Sequence, residues 1–320
     1  MAEKIKLVLP DGTPIEVESG TTGAEVARSI GRGLARAALA VEVNGRKLDL
    51  SRPIENGGDF RVFTFDDDEG KHVFWHSSAH IMAEAVTELF PGTKVAIGPA
   101  IEQGFYYDFE REEPFTPEDL EKIEEKMKEI ISEGRGFERC ELPREEALER
   151  FEKQDEVYKV ELVGDIPLGE PVSLYTSGEF TDLCRGPHIP DASKIKAFKL
   201  LSVAGAYWRG SEENIMLQRI YGISFPKKSM LDDYLEKLEQ ARQRDHRRLG
   251  KELDLFSIQE EIGPGLVLWH PKGAVIREVI EDFWRRGHRL EGYKPVYTPL
   301  VGRSNLWETS GHLGFYNENM

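Results

Sequence analysis

Two tight-turn signals in the first fifty residues constrain the fold of this chain most. Asp11-Gly12 and Asn44-Gly45 each lie between short apolar-alternating runs, Lys4 to Glu18 and Val41 to Leu50. Asp-Gly and Asn-Gly supply the positive φ angles that two-residue hairpin loops require, so each run reads as a β-hairpin. Thr22 to Ala38, between them, has helical composition, and Phe60 to Phe65 reads as a closing strand. Two hairpins, a crossing helix and a last strand predict a small β-grasp domain over residues 1–64, ubiquitin-like in outline.

The acidic run Asp66-Asp67-Asp68-Glu69-Gly70 reads as a linker, followed by a helix over Ser77 to Phe90 with Ile81, Met82, Ala85, Val86 and Leu89 at helical spacing. Thr116 with Asp119 three residues on forms a capping box, with Pro117 in the first turn and Leu120, Ile123, Met127 and Ile130 as the apolar stripe. Runs rich in β-formers over 157–225, broken by Gly and Pro, complete an expected α+β domain over 65–226. A linking helix at 227–253 and a further domain at 254–320 follow.

Composition excludes several classes. No segment approaches the roughly 20 apolar residues of a membrane span, and the first residues lack the apolar stretch of a secretion signal, so a cytoplasmic protein with no membrane partner is expected. Cys140 and Cys184 are the only cysteines, which argues against a disulfide framework; Cys140, with no partner motif, reads as structural. A net charge of -16 argues against nucleic-acid binding until its distribution is considered. Residues 112–155 hold 16 acidic and 8 basic side chains and read as a solvated helical pair. Between Arg242 and Lys251, in contrast, five basic residues (Arg242, Arg244, Arg247, Arg248 and Lys251) face one acid, Asp245. That stretch could meet RNA phosphates or be a solvated helix face. Tyr207, Trp208 and Arg209 could likewise stack on a base or belong to a core.

The chemistry concentrates in two motifs. His76-Ser-Ser-Ala-His80 places two imidazoles at i and i+4, on one helix face and about 5–6 Å apart. Cys184-Arg-Gly-Pro-His188 adds a thiol and a third imidazole from a turn, since Gly-Pro does not continue a helix. His76, His80, Cys184 and His188 form a complete donor set for tetrahedral Zn2+ and equally an acid-base cluster for hydrolysis. Ser77 stands where a zinc peptidase carries Glu, so peptide hydrolysis is disfavoured.

With Gly98-Pro99, Gly104-Phe-Tyr-Tyr107, Asp182-Leu-Cys-Arg-Gly-Pro-His188 and Ala204-Gly-Ala-Tyr-Trp-Arg-Gly210, these motifs resemble the second N-terminal domain of bacterial-type threonyl-tRNA synthetases, shared with alanyl-tRNA editing proteins. Residues 1–64 resemble the TGS domain, and Arg244 to Leu255 resembles the junction into the catalytic core. Gly265 to His270 and Glu291 to Pro299 resemble the start of a class II antiparallel-sheet core, including its dimer-forming motif.

The resemblance implies hydrolytic editing of seryl-tRNA(Thr), acting on the tRNA acceptor end. His76 and His80 would serve as base and acid with His188 as neighbour, Lys159 would steady the tetrahedral intermediate, and Asp182 and Cys184 would read the seryl amine and hydroxyl. Without the resemblance, Lys159 reads as an exposed strand lysine. Zinc at this site is not favoured by the threonyl relatives, although the alanyl ones use it. ATP, Mg2+, threonine, a catalytic zinc and homodimer formation belong to the full-length family enzyme, with the ATP and zinc sites past residue 320. The chain is therefore expected to retain only deacylation. The competing expectations are a zinc-dependent deacylase of the alanyl type and a non-catalytic RNA-binding module.

Overall fold

A computed structural model describes residues 3–316; residues 1–2 and 317–320, at the outer limits of the expected first and last domains, lie outside the described residues. The fold is α+β with several separate sheets. It forms two compact units, Met1–Glu236 and Lys237–Met320. No helix among the described residues is long and apolar enough to cross a membrane.

Lys4–Val8 pairs antiparallel with Pro14–Glu18 and parallel with Gly58–Phe63, which pairs with Ala40–Val43, itself paired with Arg46–Asp49. Asn44 and Gly45 both have positive φ, 52° and 78°, as the hairpin loop demands. The expected Thr22–Ala38 helix is two helices, Gly23–Ile30 and Arg32–Ala37, because Gly31 adopts an extended conformation between them. Thr22 and Glu25 form a reciprocal capping box at the first.

The acidic run is not a linker. Asp68–Leu89 is one helix of 22 residues, and Asp68 and Glu69 occupy its first turn, where carboxylates suit the positive end of the helix dipole. A Cβ on Gly70 would lie 1.7 Å from the Thr64 carbonyl oxygen, so this glycine lets the helix start pressed against the end of the β-grasp sheet. His76 therefore sits mid-helix rather than near its start. The helix packs on an antiparallel sheet ordered Ala197–Tyr207, Met216–Phe225, Gly104–Glu110, Lys94–Val95. Trp75 donates its indole N–H to the Ser224 carbonyl at 2.9 Å. One apolar cluster runs from Leu39, Ala40 and Phe63 of the β-grasp sheet through Phe74, Ile81 and Met82 to Phe105, Tyr107 and Ile220, so the two sheets share a core across the residue-64 boundary.

The charge-rich region holds the helices Pro117–Glu133 and Arg144–Lys153 with a strand, Glu138–Leu142, between them. That strand pairs with Val172–Ser177, which pairs with Phe180–Leu183. Cys140, expected to be structural, is exposed on this strand. Val157–Gly164, expected to be β, is a helix. Tyr158 and Val163 are its buried apolar positions, and Lys159 is buried with them.

The expected linking helix is Lys228–Gln243 followed by His246–Glu252, with Asp245 capping the second. Of the five basic residues, Arg247 pairs with Asp245 and Arg248 with Glu252. Within the second unit, Phe256–Ile258 and Val267–Trp269 form a hairpin, followed by the helix Pro271–Leu290.

Candidate active site

Each element brings one part of the site. The Asp68–Leu89 helix carries His76 and His80 one turn apart, their ring centroids separated by 4.8 Å. The turn after Phe180–Leu183 carries Cys184 and His188, and it needs Gly186 at φ +67°, where a Cβ would lie 2.0 Å from the Tyr175 hydroxyl. One ligand atom from each of His76, His80, Cys184 and His188 lies within 4.8 Å of the others. All four side chains named from the two motifs thus converge.

The hydrogen bonds fix the tautomers. His76 Nδ1 is 3.3 Å from the Gly98 carbonyl, which only accepts, so Nδ1 carries the proton and Nε2 presents a lone pair to Cys184 Sγ at 2.8 Å. Ser77 Oγ spends its one proton on the Val73 carbonyl, 2.8 Å away, and therefore accepts from His188 Nδ1 at 3.0 Å. His188 Nε2 then also faces Cys184 Sγ, at 3.3 Å. The single thiol proton serves two imidazole acceptors, so at any moment one of them is available as a base. Burial pushes the His76 pKa down to about 4, opposed by the Gly98 carbonyl and aided by His72 and Lys159. Burial also holds His80 and His188 well below the usual histidine range and pushes the Cys184 thiol up. Near pH 7 the cluster is three neutral imidazoles and a thiol.

Lys159 is not an exposed strand lysine; it is 2% exposed. A buried ammonium survives only when paired and hydrogen-bonded. Its Nζ pairs with Asp182 Oδ1 and donates to the Ala96 carbonyl at 2.8 Å and to the Tyr107 hydroxyl at 3.0 Å. Tyr107 in turn donates to Asp182 Oδ2 at 2.6 Å, and the same oxygen is 3.5 Å from His80 Nε2. Lys159, Asp182 and the histidine cluster therefore form one network, and Lys159, Asp182, His76, His80 and Cys184 line a cavity of about 400 Å³ together with Gly98, Pro99 and Arg185, with His188 buried behind Cys184. A second cavity of about 330 Å³ shares Leu162, Leu183, Cys184 and Arg185 with it.

Sequence reasoning missed several supporting residues. Ser77 lies inside the His-x3-His motif, yet its role comes from His188, 111 residues away, and from Ile189, whose N–H it accepts at 3.0 Å. The Phe137 ring stacks on His188 at 4.6 Å, and Tyr175 meets it edge-on at 4.5 Å. Trp208 does not stack in the site. It is buried against Tyr158 and donates to Glu161 at 2.9 Å. Ser77→Ala leaves the His188 and Ile189 N–H groups without their acceptor, so a loss of about 1–3 kcal/mol is expected in urea unfolding.

The donor set also fits a Zn2+ ion, since two Nε2 lone pairs converge on Sγ while the opposite ring nitrogens are held by a carbonyl and a hydroxyl, an orientation typical of ligating histidines.

Residues 5–64 match the TGS domain family, and residues 172–221 match the threonyl and alanyl tRNA synthetase second additional domain. Over 316 residues the chain is 58% identical to the threonine–tRNA ligase of Carboxydothermus hydrogenoformans, covering 99% of this chain and 50% of the relative. The corresponding ligase of Desulforamulus reducens is 56% identical with the same coverage, and that of Caldanaerobacter subterraneus 55% identical over 314 residues. The chain spans about half the length of the curated relatives it matches. Identity above one half, sustained over nearly every residue, places the chain in the threonine–tRNA ligase family.

Proposed function

We propose that the cavity bounded by His76, His80, Lys159, Asp182 and Cys184, with His188 behind Cys184, hydrolyses the ester of seryl-tRNA(Thr). One observation carries this reading: the neutral imidazoles of His76 and His80, the Cys184 thiol and a buried Lys–Asp pair line a single cavity in a chain with the second additional domain. Serine lacks one methyl of threonine, worth about 1–3 kcal/mol in a binding pocket, so synthesis alone discriminates weakly and hydrolysis supplies the remainder.

Water attacks the ester carbonyl carbon and gives its proton to the free Nε2 of His76. The Lys159 ammonium steadies the oxyanion. The neutral His80 imidazole, its ring centroid 4.8 Å from that of His76, relays the proton taken by His76 to the ribose oxygen as the ester C–O bond breaks. Asp182 and Cys184 read the seryl amine and hydroxyl, and His188 holds the thiol. Arg185, on the rim shared by the two cavities, supplies a cation for the phosphate of the terminal nucleotide.

The domain assignment that goes with this reading is a TGS domain at 1–64, an editing domain at 65–226, linking helices at 227–253 and the beginning of a class II core at 254–320. For the whole protein the same reading is the joining of threonine to tRNA(Thr) with ATP and Mg2+, as a cytoplasmic homodimer with a catalytic zinc.

A zinc-dependent deacylase is the second reading, favoured by the convergence of the four donors. His76, His80, Cys184 and His188 would hold the ion, which would supply Lewis-acid activation of water. Deacylation measured with and without a chelator separates the two. Seryl-tRNA(Thr) hydrolysis is expected to continue unchanged after chelation, with well under one zinc per purified chain. Loss on chelation and recovery with Zn2+ would establish the second reading.

A further inference from the structure

We infer that Asp49, a residue of the β-grasp sheet, is a positioning residue for the site in the following domain. Asp49 ends the strand Arg46–Asp49, and its carboxylate accepts two hydrogen bonds from residues far along the chain: the His188 backbone N–H at 2.8 Å on Oδ1, and the Tyr175 hydroxyl at 2.7 Å on Oδ2. All three residues are buried, so water does not replace these bonds.

The two donors fix the catalytic turn from both sides. The His188 N–H sets the backbone of the residue whose Nε2 meets Cys184 Sγ. Tyr175 lays its ring against the His188 imidazole, and its hydroxyl lies so close to Gly186 that no side chain would fit there. Asp49 therefore determines where the turn Cys184–His188 sits relative to His76 and His80. The shared apolar cluster through Leu39, Ala40, Phe63 and Phe74 gives the carboxylate a fixed mount. The β-grasp domain is on this account a structural part of the hydrolytic site.

The catalytic consequence rests on the hydrolase reading above; the position of the turn does not, and a thiol measurement reports it separately. Cys140 is exposed and Cys184 is buried, so in a Cys140→Ser background iodoacetamide reports Cys184 alone. Because a displacement of about 1 Å in a catalytic group can cost about 100-fold, Asp49→Ala is expected to lower kcat for seryl-tRNA(Thr) about 100-fold with KM within about twofold, and to speed Cys184 alkylation at least about tenfold. Asp49→Asn keeps an oxygen for the His188 N–H and an amide that can donate to the Tyr175 oxygen, and is expected to stay within about fivefold of the parent in both readouts. Tyr175→Phe, which removes one hydrogen bond and keeps the ring, is expected to fall between them and serves as the test if Asp49→Ala does not fold.

A folded Asp49→Ala protein with unchanged alkylation and kcat would overturn the inference and leave Asp49 as a seal between domains, as would Asn performing no better than Ala. Faster alkylation in Asp49→Ala, with a parent protein that hydrolyses no seryl ester, would support the positioning role while refuting the hydrolase reading.

Discussion

Lys159→Met is expected to lower kcat for seryl-tRNA(Thr) hydrolysis by about 10²–10³-fold, the usual loss when a group that stabilises the developing oxyanion is removed. It is also expected to cost about 3–5 kcal/mol of folding stability, because it leaves the buried Asp182 carboxylate without its counter-charge. The two effects are separable. In Lys159→Met/Asp182→Asn the buried charge is gone along with its partner, so urea unfolding is expected to recover most of the lost stability while hydrolysis stays down. Stability unchanged in Lys159→Met would mean that the ammonium is not held by the Asp182, Ala96 and Tyr107 contacts. Activity restored in the double variant would remove Lys159 from the chemistry.

His76→Ala is the second variant with a large expected effect. Its Nε2 faces the thiol and the cavity, and its Nδ1 proton is committed to the Gly98 carbonyl, so it is oriented and neutral before substrate arrives. General-base catalysis of this kind contributes about 10²–10⁴-fold, and a kcat loss of that size is expected. His76 is only half-buried, and its removal leaves no buried charge, so stability is expected to change by about 1 kcal/mol or less. An unaltered kcat in a folded His76→Ala protein would favour the non-catalytic module, in which the histidines only hold the fold.

The features that local chemistry encodes were legible in the sequence. Asn44-Gly45 forms its hairpin, Thr116 with Asp119 caps its helix, and the two short motifs bring His76, His80, Cys184 and His188 together. The misreadings occur where tertiary contacts override local preference. Asp66 to Gly70 has the composition of a linker, yet Asp68 and Glu69 sit at the positive end of the helix dipole and Gly70 lets the first turn fit against the Thr64 carbonyl. Val157 to Gly164 has β-forming residues but packs as a helix, carrying Lys159 to Asp182. Gly31 splits a helix whose composition looked continuous. Asp49, Ser77 and Tyr175 were illegible as site residues for another reason. Each acts on a partner more than 100 residues away or through one that does, and no spacing along the chain encodes that.

The central claim is that this cavity removes serine, and not threonine, from tRNA(Thr). The most direct measurement is the single-turnover decay of seryl-tRNA(Thr) and threonyl-tRNA(Thr), each mixed with excess chain. The account predicts rapid loss of the seryl ester, with the threonyl ester decaying near its rate in buffer. Equal decay of both esters, or decay of neither above buffer, would contradict it.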